Sequence, residues 1–151
     1  MLFRSDLWSA NEQMQGIVQH MAEKADDPAV KQLLEKSVTG IGAHTATIRA
    51  MVEGFGGKKD HCRGMQGLVE EARKHALETP LQPELRDLEL LAQYQRMSHY
   101  GLAGFGTATA YADVLGLQDD ARKLKEIVND IYSADAYSSQ LAVSAQRALR
   151  G

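Results

Sequence analysis

The stretch QRMSHYGLAGFGTATAYADVLG, residues 95–116, contains no proline and spaces its apolar residues three and four positions apart, as one face of an α-helix does. Gly101, Gly104 and Gly106 interrupt this pattern. Each glycine costs about 1 kcal/mol relative to alanine in the interior of a helix. The stretch therefore predicts a long helix that gives up some stability, either for close packing or for space inside the fold.

Prolines and glycines divide the rest of the chain into further helices. Asp27 followed by Pro28 is typical of a helix N-terminus, and GFGG at 54–57 ends that helix. TPLQPE at 79–84 precedes the helix that contains the quoted stretch, and Gly116 ends it. Alternating apolar runs typical of strands are absent. The predicted helices are four long ones at about 4–25, 28–55, 83–115 and 119–148, and a short one at about 63–77.

The lengths of the connections predict how these helices are arranged. Short turns join the first long helix to the second and the third to the fourth, so each pair is expected to be an antiparallel hairpin. The connection between the hairpins has about 27 residues, which is enough to cross the bundle from end to end. We predict an all-α, ferritin-like antiparallel four-helix bundle with a short fifth helix in the crossover, as a single domain over 1–151.

Composition restricts the classes of function. The chain has 151 residues, a net charge of −3, 44% hydrophobic residues and 25% charged residues, the balance of an ordinary soluble domain. It has no basic tract for nucleic acid, no apolar run that would span a membrane and no signal-peptide pattern. Its one cysteine, Cys62, cannot form an internal disulfide. We expect a cytoplasmic protein without nucleic-acid or membrane partners.

Polar residues interrupt the apolar stripe of every long predicted helix at a similar level. Asn11 and His44 both fall about 23–25 Å from the first hairpin turn, at about 1.5 Å per residue. Ser98 and Asp135 fall at a comparable distance from the second turn. One buried polar residue commonly fixes helix register, but agreement among four helices favours a polar site or cavity. The predicted lining residues are Asn11, His44, Gln95, Ser98, His99 and Asp135.

Three stretches match the pattern of one known family: LWSANEQM at 7–14, CRGMQGLVEE at 62–71 and HYGLAGFGTATAYADVLG at 99–116. They resemble the YciE/YciF-type family of bacterial stress-associated, ferritin-like proteins, and the spacing holds over nearly the whole chain. The resemblance implies a homodimer and a dinuclear metal site of carboxylates and histidine. It also implies that Gly104 and Gly106 allow close packing between helices.

Several acidic positions of that family carry other residue types here. A dinuclear centre needs several anionic oxygens to balance two divalent cations, and the residues at these positions supply none. The loss of long side chains is expected to leave a partly open polar cavity. The resemblance places these positions at Asn11, Gly40, Ser98, Gly101 and Ile131.

The carboxylate of Asp135 remains at this level, and a lone buried carboxylate is costly. We therefore expect it to pair with His44 or with His99, which are both near it by level.

Three functional interpretations stay open. The first is a non-redox binding or structural bundle without a cofactor, whose cavity holds water or a small-molecule ligand. The second is a metal-dependent oxidoreductase or metal-binding protein using iron or manganese, so enzymatic activity is undecided. The third is a structural stress protein acting through a dimer surface, for which Leu2, Phe3 and Trp8 are apolar candidates. The candidate metal ligands of the second interpretation are Glu12, His44, His99, Asp130 and Asp135.

Overall fold

The computed structural model describes residues 2–151, with side chains from Ser5 onward. Over this range the chain forms five α-helices and no strand, and a π-helical segment continues the third helix. Their bounds lie within about two residues of the predicted ones. The elements are α1 at Leu2–Lys24, α2 at Pro28–Gly54, α3 at Arg63–Ala72 with the π-helical segment at Arg73–Glu78, α4 at Pro83–Val114 and α5 at Gln118–Arg150.

Carboxylates fix the turn between α1 and α2. The side chain of Asp27 accepts the backbone N–H of Ala29 at 2.8 Å, and Pro28 occupies the first turn of α2. The buried carboxylate of Asp87 in α4 accepts the backbone N–H groups of Asp26 and Asp27 at 2.9 and 2.8 Å. The first hairpin turn is therefore tied to the neighbouring hairpin.

The two hairpins lie side by side with their turns at opposite ends of the bundle. One apolar cluster joins Leu7 near the start of α1 to Phe105 in the second half of α4 and Leu124 near the start of α5. A second cluster joins the end of α1 to the start of α2 and the first half of α4. This is the ferritin-like arrangement of four helices, and the predicted fold class is confirmed.

The crossover covers only one side of the bundle. The α3 helix and its π-helical continuation pack against α1 and α4. The N–H of Cys62 donates to Ser9 Oγ at 3.0 Å, Gln13 Nε2 donates to the carbonyl of Cys62 at 3.0 Å, and the buried Cys62 Sγ accepts the N–H of Met65 at 3.4 Å. Within residues 2–151, no comparable element covers the groove between α2 and α5.

The glycines of α4 have different surroundings. A Cβ added to Gly104 would overlap the side chain of Leu7, so this glycine permits the close approach of α1 and α4. A Cβ added to Gly106 would meet no atom within 4 Å. The expectation of close packing is confirmed for Gly104 and is wrong for Gly106.

The apolar residues predicted near the N-terminus do not form a described patch. The side chains of Leu2 and Phe3 lie outside the described residues. Trp8 donates its indole N–H to Glu12 at 2.8 Å, and the cations of Arg49 and Lys59 lie 5.4 and 5.8 Å from its ring centroid. Trp8 also packs against the apolar cluster that contains Leu7, so it is partly buried and has polar groups on its remaining side. None of the helices between residues 2 and 151 combines the length and the hydropathy that crossing a bilayer requires.

Candidate functional site

A cavity of about 380 Å³ opens into the groove between α2 and α5 that the crossover leaves uncovered. Its walls come from α2 and α5, and α1 and α4 contribute its floor. The volume falls within the range of small-molecule sites, roughly 300–1,000 Å³. The expectation of a polar cavity is wrong for most of its lining, which is apolar and includes Met14, Leu33, Ile41, Ile131 and Ala134.

Two glycines create much of this space. A Cβ added to Gly40 would meet no atom within 4 Å, and one added to Gly101 would meet only Ile131 Cδ1 at 3.7 Å. Both positions therefore have room for a longer side chain. Every position at which this chain carries another residue type in place of an acidic residue implied by the family resemblance lines this cavity, namely Asn11, Gly40, Ser98, Gly101 and Ile131.

Asn11 is a buried polar residue on the floor of the cavity. It is 6% exposed, and its side-chain amide has no hydrogen-bond partner among residues 5–151. Leaving a buried amide without a partner costs about 1–3 kcal/mol. Water or a ligand in the cavity would supply the missing hydrogen bonds.

Tyr94 connects α4 to α2 at the same floor. Its hydroxyl lies 2.7 Å from Ser37 Oγ. Burial raises the pKa of Tyr94 above its usual value of about 10, so the phenol stays protonated at neutral pH. In contrast to Asn11, this hydroxyl is already satisfied by the protein.

Charged groups stand at the two ends of the cavity. At one end His44 Nε2 lies 2.9 Å from Asp130 Oδ2, and the carboxylate of this pair is 69% exposed. At the other end stands Lys36, eight residues earlier on α2 and therefore about 12 Å away along the axis. Lys36 is exposed and makes no ion pair with the described residues. The cavity is thus cationic at one end and carries a carboxylate at the other.

Three of the six predicted lining residues lie elsewhere. Asn11, His44 and Ser98 line the cavity, whereas Gln95, His99 and Asp135 do not. Gln95 and His99 lie about 100° around α4 from Tyr94 and Ser98, so they face α5 along the seam of their own hairpin.

These three residues form a polar cluster of their own. His99 Nε2 lies 3.0 Å from Asp135 Oδ1, and Gln95 Nε2 donates to the same oxygen at 3.1 Å and to Ser139 Oγ at 2.8 Å. Of the two partners expected for Asp135, His99 is therefore the one found. His44 binds Asp130 instead.

The candidate metal ligands do not converge on one point. The two His–Asp pairs lie on different faces of the bundle, one at the cavity and one at the α4–α5 seam. Glu12 binds Lys59 Nζ at 2.6 Å, and this hydrogen bond lowers the pKa of Glu12. In the part of the chain with described side chains, no three His, Cys, Asp or Glu residues are grouped to hold a metal ion. The candidate ligands of the second interpretation are therefore not brought together among the described residues.

Lys36 and Tyr94 are lining residues that sequence reasoning missed. Tyr94, Ser98 and Gly101 follow the i, i+4, i+7 spacing of one helix face, which was a usable signal for the tyrosine. Lys36 has the pattern of a solvated surface lysine, and only the open groove beside it gives it a place at the cavity.

Comparison with known proteins identifies the family of this chain. The family described as a domain of unknown function, DUF892, matches residues 5–148. The chain belongs to this family. It is also 28% identical over 143 residues to protein YciF of Escherichia coli strain K12, with 93% of this chain and 86% of that protein covered. The predicted resemblance to YciE/YciF-type proteins is confirmed.

Solved structures of similar proteins have the same fold. The crystal structure of the E. coli stress protein YciF matches with a TM-score of 0.89 at 27% identity, covering 96% of this chain and 92% of that one. YcfI of Rhodopseudomonas palustris, described as a candidate structural protein, matches with a TM-score of 0.83 at 24% identity, covering 91% and 90%. This chain therefore shares its helical bundle with both solved structures.

Proposed function

We propose that this DUF892 member is a non-redox binding protein whose cavity holds a small organic molecule in place of a dinuclear metal centre. The observation that carries the proposal is the coincidence of two sets of residues. The positions at which an acidic residue implied by the family resemblance is replaced in this chain all line the cavity, and here they read Asn11, Gly40, Ser98, Gly101 and Ile131.

The donor set also argues against a dinuclear centre at this level. Among the described lining residues, His44 is the only histidine and Asp130 the only carboxylate, and they are engaged with each other. One carboxylate and one imidazole cannot balance two divalent cations. The apolar walls and the unpartnered amide of Asn11 instead suit an organic molecule with a polar group.

The setting of this function is proposed from similarity. The E. coli relative is described as a stress protein. At 28% identity over most of both chains, we propose that the present protein also acts in a bacterial stress response, in the cytoplasm and as a homodimer.

Metal analysis of tag-free protein tests the central proposal. Elemental analysis and native mass spectrometry are expected to find no stoichiometric iron or manganese. The variant Asn11→Glu/Gly40→Glu/Ser98→Glu/Gly101→Glu is expected to acquire metal, because it restores four anionic side chains around the cavity.

The matched control carries glutamine at the same four positions, which restores the side-chain length without the charge. It is expected to bind no metal. About two iron or manganese ions per unmodified chain, held at this level of the bundle, would overturn the proposal.

A further inference from the structure

We infer that the cavity binds an amphipathic monocarboxylate with a linear body of about eight bonds and an uncharged hydroxyl or carbonyl group at its far end. The inference rests on the proposed function and specifies the ligand class of the same site. Three properties of the cavity carry it: its apolar middle, the unpaired cation at one end, and the unpartnered amide near the other.

The middle of the cavity is apolar. Met14 of α1, Ile41 of α2 and Ile131 of α5 line it, and neither Gly40 nor Gly101 contributes a side chain. Such a lining favours a hydrocarbon body over a sugar or a nucleotide, whose many polar groups would lose their hydration without replacement.

The charges at the two ends of the cavity determine the orientation of a charged ligand. Lys36 is an exposed cation without an ion pair among the described residues, so it is available to a ligand carboxylate. Asp130 at the opposite end would repel that carboxylate, and His44 is already held by Asp130. The anionic end of the ligand therefore lies at Lys36.

The amide of Asn11 defines the far end. Gln15 Nε2 donates to the carbonyl of Val38 at 3.1 Å, which sets the register of α1 against α2. By this register the backbone of Asn11 lies level with position 42, six residues, or about 9 Å along the axis, from the backbone of Lys36. A hydroxyl or carbonyl at the level of Asn11 would supply the partner that its amide lacks.

The axial separation and the cavity volume both suit a short ligand. An extended chain advances about 3.5 Å per three bonds, so a span of 9 Å corresponds to about eight bonds. The cavity of about 380 Å³ lies at the small end of the range of small-molecule sites, roughly 300–1,000 Å³. 8-Hydroxyoctanoate, which has eight bonds from its carboxylate carbon to its hydroxyl oxygen, is the probe of this class.

The experiment compares 8-hydroxyoctanoate with octanoate, which lacks the hydroxyl, and with octane-1,8-diol, which lacks the charge. Isothermal titration calorimetry on the full-length protein is expected to give the highest affinity for 8-hydroxyoctanoate. Removing the hydroxyl is expected to lower the affinity about tenfold, because Asn11 is then left unpaired again.

Two variants assign the ends of the ligand. Asn11→Leu is expected to reverse the preference, so that octanoate binds more tightly than 8-hydroxyoctanoate. Lys36→Gln is expected to weaken both acids and leave the diol unchanged. Lys31→Gln is the matched control, because Lys31 is also an exposed lysine of α2 but does not line the cavity.

A third variant separates failure of the ligand class from failure of the proposed function. Gly40→Leu fills the cavity and is expected to abolish binding of all three probes, whereas Gly16→Leu makes the same change at an exposed glycine outside it. If Gly40→Leu abolishes binding but Lys36→Gln and Asn11→Leu do not alter the order of affinities, the ligand class is wrong and the proposed function stands. If no probe binds, the inference is overturned, and the metal analysis decides the proposed function separately.

Discussion

Two histidine–carboxylate pairs in this protein share one chemistry and differ in how deeply the carboxylate is buried. Asp135, the partner of His99, is 18% exposed, whereas Asp130, the partner of His44, is 69% exposed. A carboxylate in water is solvated whether or not a histidine is present, but a buried one depends on the partners that the fold provides. The burial of the carboxylate therefore decides how much each histidine contributes.

We expect His99→Leu to lower the free energy of unfolding by about 1–2 kcal/mol at pH 7, because Asp135 then keeps only Gln95 as a partner. His44→Leu, the matched control, is expected to cost less than about 0.5 kcal/mol, since Asp130 returns to solvent. Urea unfolding followed by circular dichroism measures both. Equal losses would show that burial of the carboxylate does not set the difference.

Tyr94 gives stability a dependence on alkaline pH. Its folded pKa is raised by burial, so the folded state keeps the proton after the unfolded chain has lost it. Its contribution is therefore complete below the unfolded pKa of about 10 and falls as the pH rises above that value.

Tyr94→Phe is expected to cost about 1 kcal/mol at pH 7, because the hydrogen bond to Ser37 is lost. The stability difference between wild type and variant is expected to shrink as the pH rises above about 10. Chemical unfolding at several pH values measures it, with Tyr132→Phe as a control at an exposed tyrosine. A difference that does not change with pH would contradict this assignment.

At the scale of elements, one glycine determines how closely α4 approaches α1. The comparison of Gly104 with Gly106 separates packing from helix propensity, because both are glycines in the same helix and only Gly104 faces Leu7. Leu7 is itself buried in an apolar cluster, so its side chain has little room to move aside.

Gly104→Ala is expected to destabilise the protein by about 1–3 kcal/mol through overpacking against Leu7, despite its gain in helix propensity. Gly106→Ala is expected to stabilise it by up to about 1 kcal/mol. Thermal unfolding of the two variants measures both effects. A stabilised Gly104→Ala would mean that Leu7 moves aside without cost.

The helices themselves could be predicted because residues next to their ends determine where they begin and end. Asp27 before Pro28 marks the start of α2 through a local side-chain cap, and Gly116 marks the end of α4 through its positive φ. The level of Asn11 along α1 could also be predicted by counting residues back to the turn. The side of α4 on which His99 lies could not be predicted in this way, because neighbouring residues of a helix point about 100° apart. His99 therefore faces Asp135 of α5 and not the predicted site.

Tertiary packing determines the features that sequence reasoning missed. The segment Arg73–Glu78 reads as ordinary helix, and its π-helical geometry arises where the crossover meets α4. The carbonyl of Ala76 in this segment accepts Arg86 Nη1 at 2.6 Å, a contact between residues ten positions apart. Which groove the crossover covers is a property of the assembled hairpins, so the open side and its cavity could not be located beforehand.

At the scale of the whole molecule, exposed apolar residues at one end of the bundle mark a candidate dimer surface. Tyr111, Val114 and Leu115 at the end of α4 are 51, 84 and 54% exposed. They lie at the same end as the start of α1, where the sequence analysis placed the dimer contact. Burial of this patch would favour association of two copies.

We expect sedimentation at micromolar concentration to give about twice the chain mass of 16.6 kDa. Val114→Glu is expected to shift the protein to a monomer, because it places a charge in the centre of the patch. Leu85→Glu is the control, at an exposed leucine near the start of α4. A wild-type monomer, or a dimer unaffected by Val114→Glu, would contradict this surface.

The buried thiol of Cys62 under the crossover can also report when this segment opens locally. Cys62 is the single cysteine, and it is shielded where α3 begins. An alkylating reagent such as iodoacetamide can reach it only when the crossover separates from α1 and α4, so the rate of alkylation counts those separations. The chain thus carries one native labelling position in the segment that joins its two hairpins. The rate at which this segment opens can therefore be measured without an engineered cysteine.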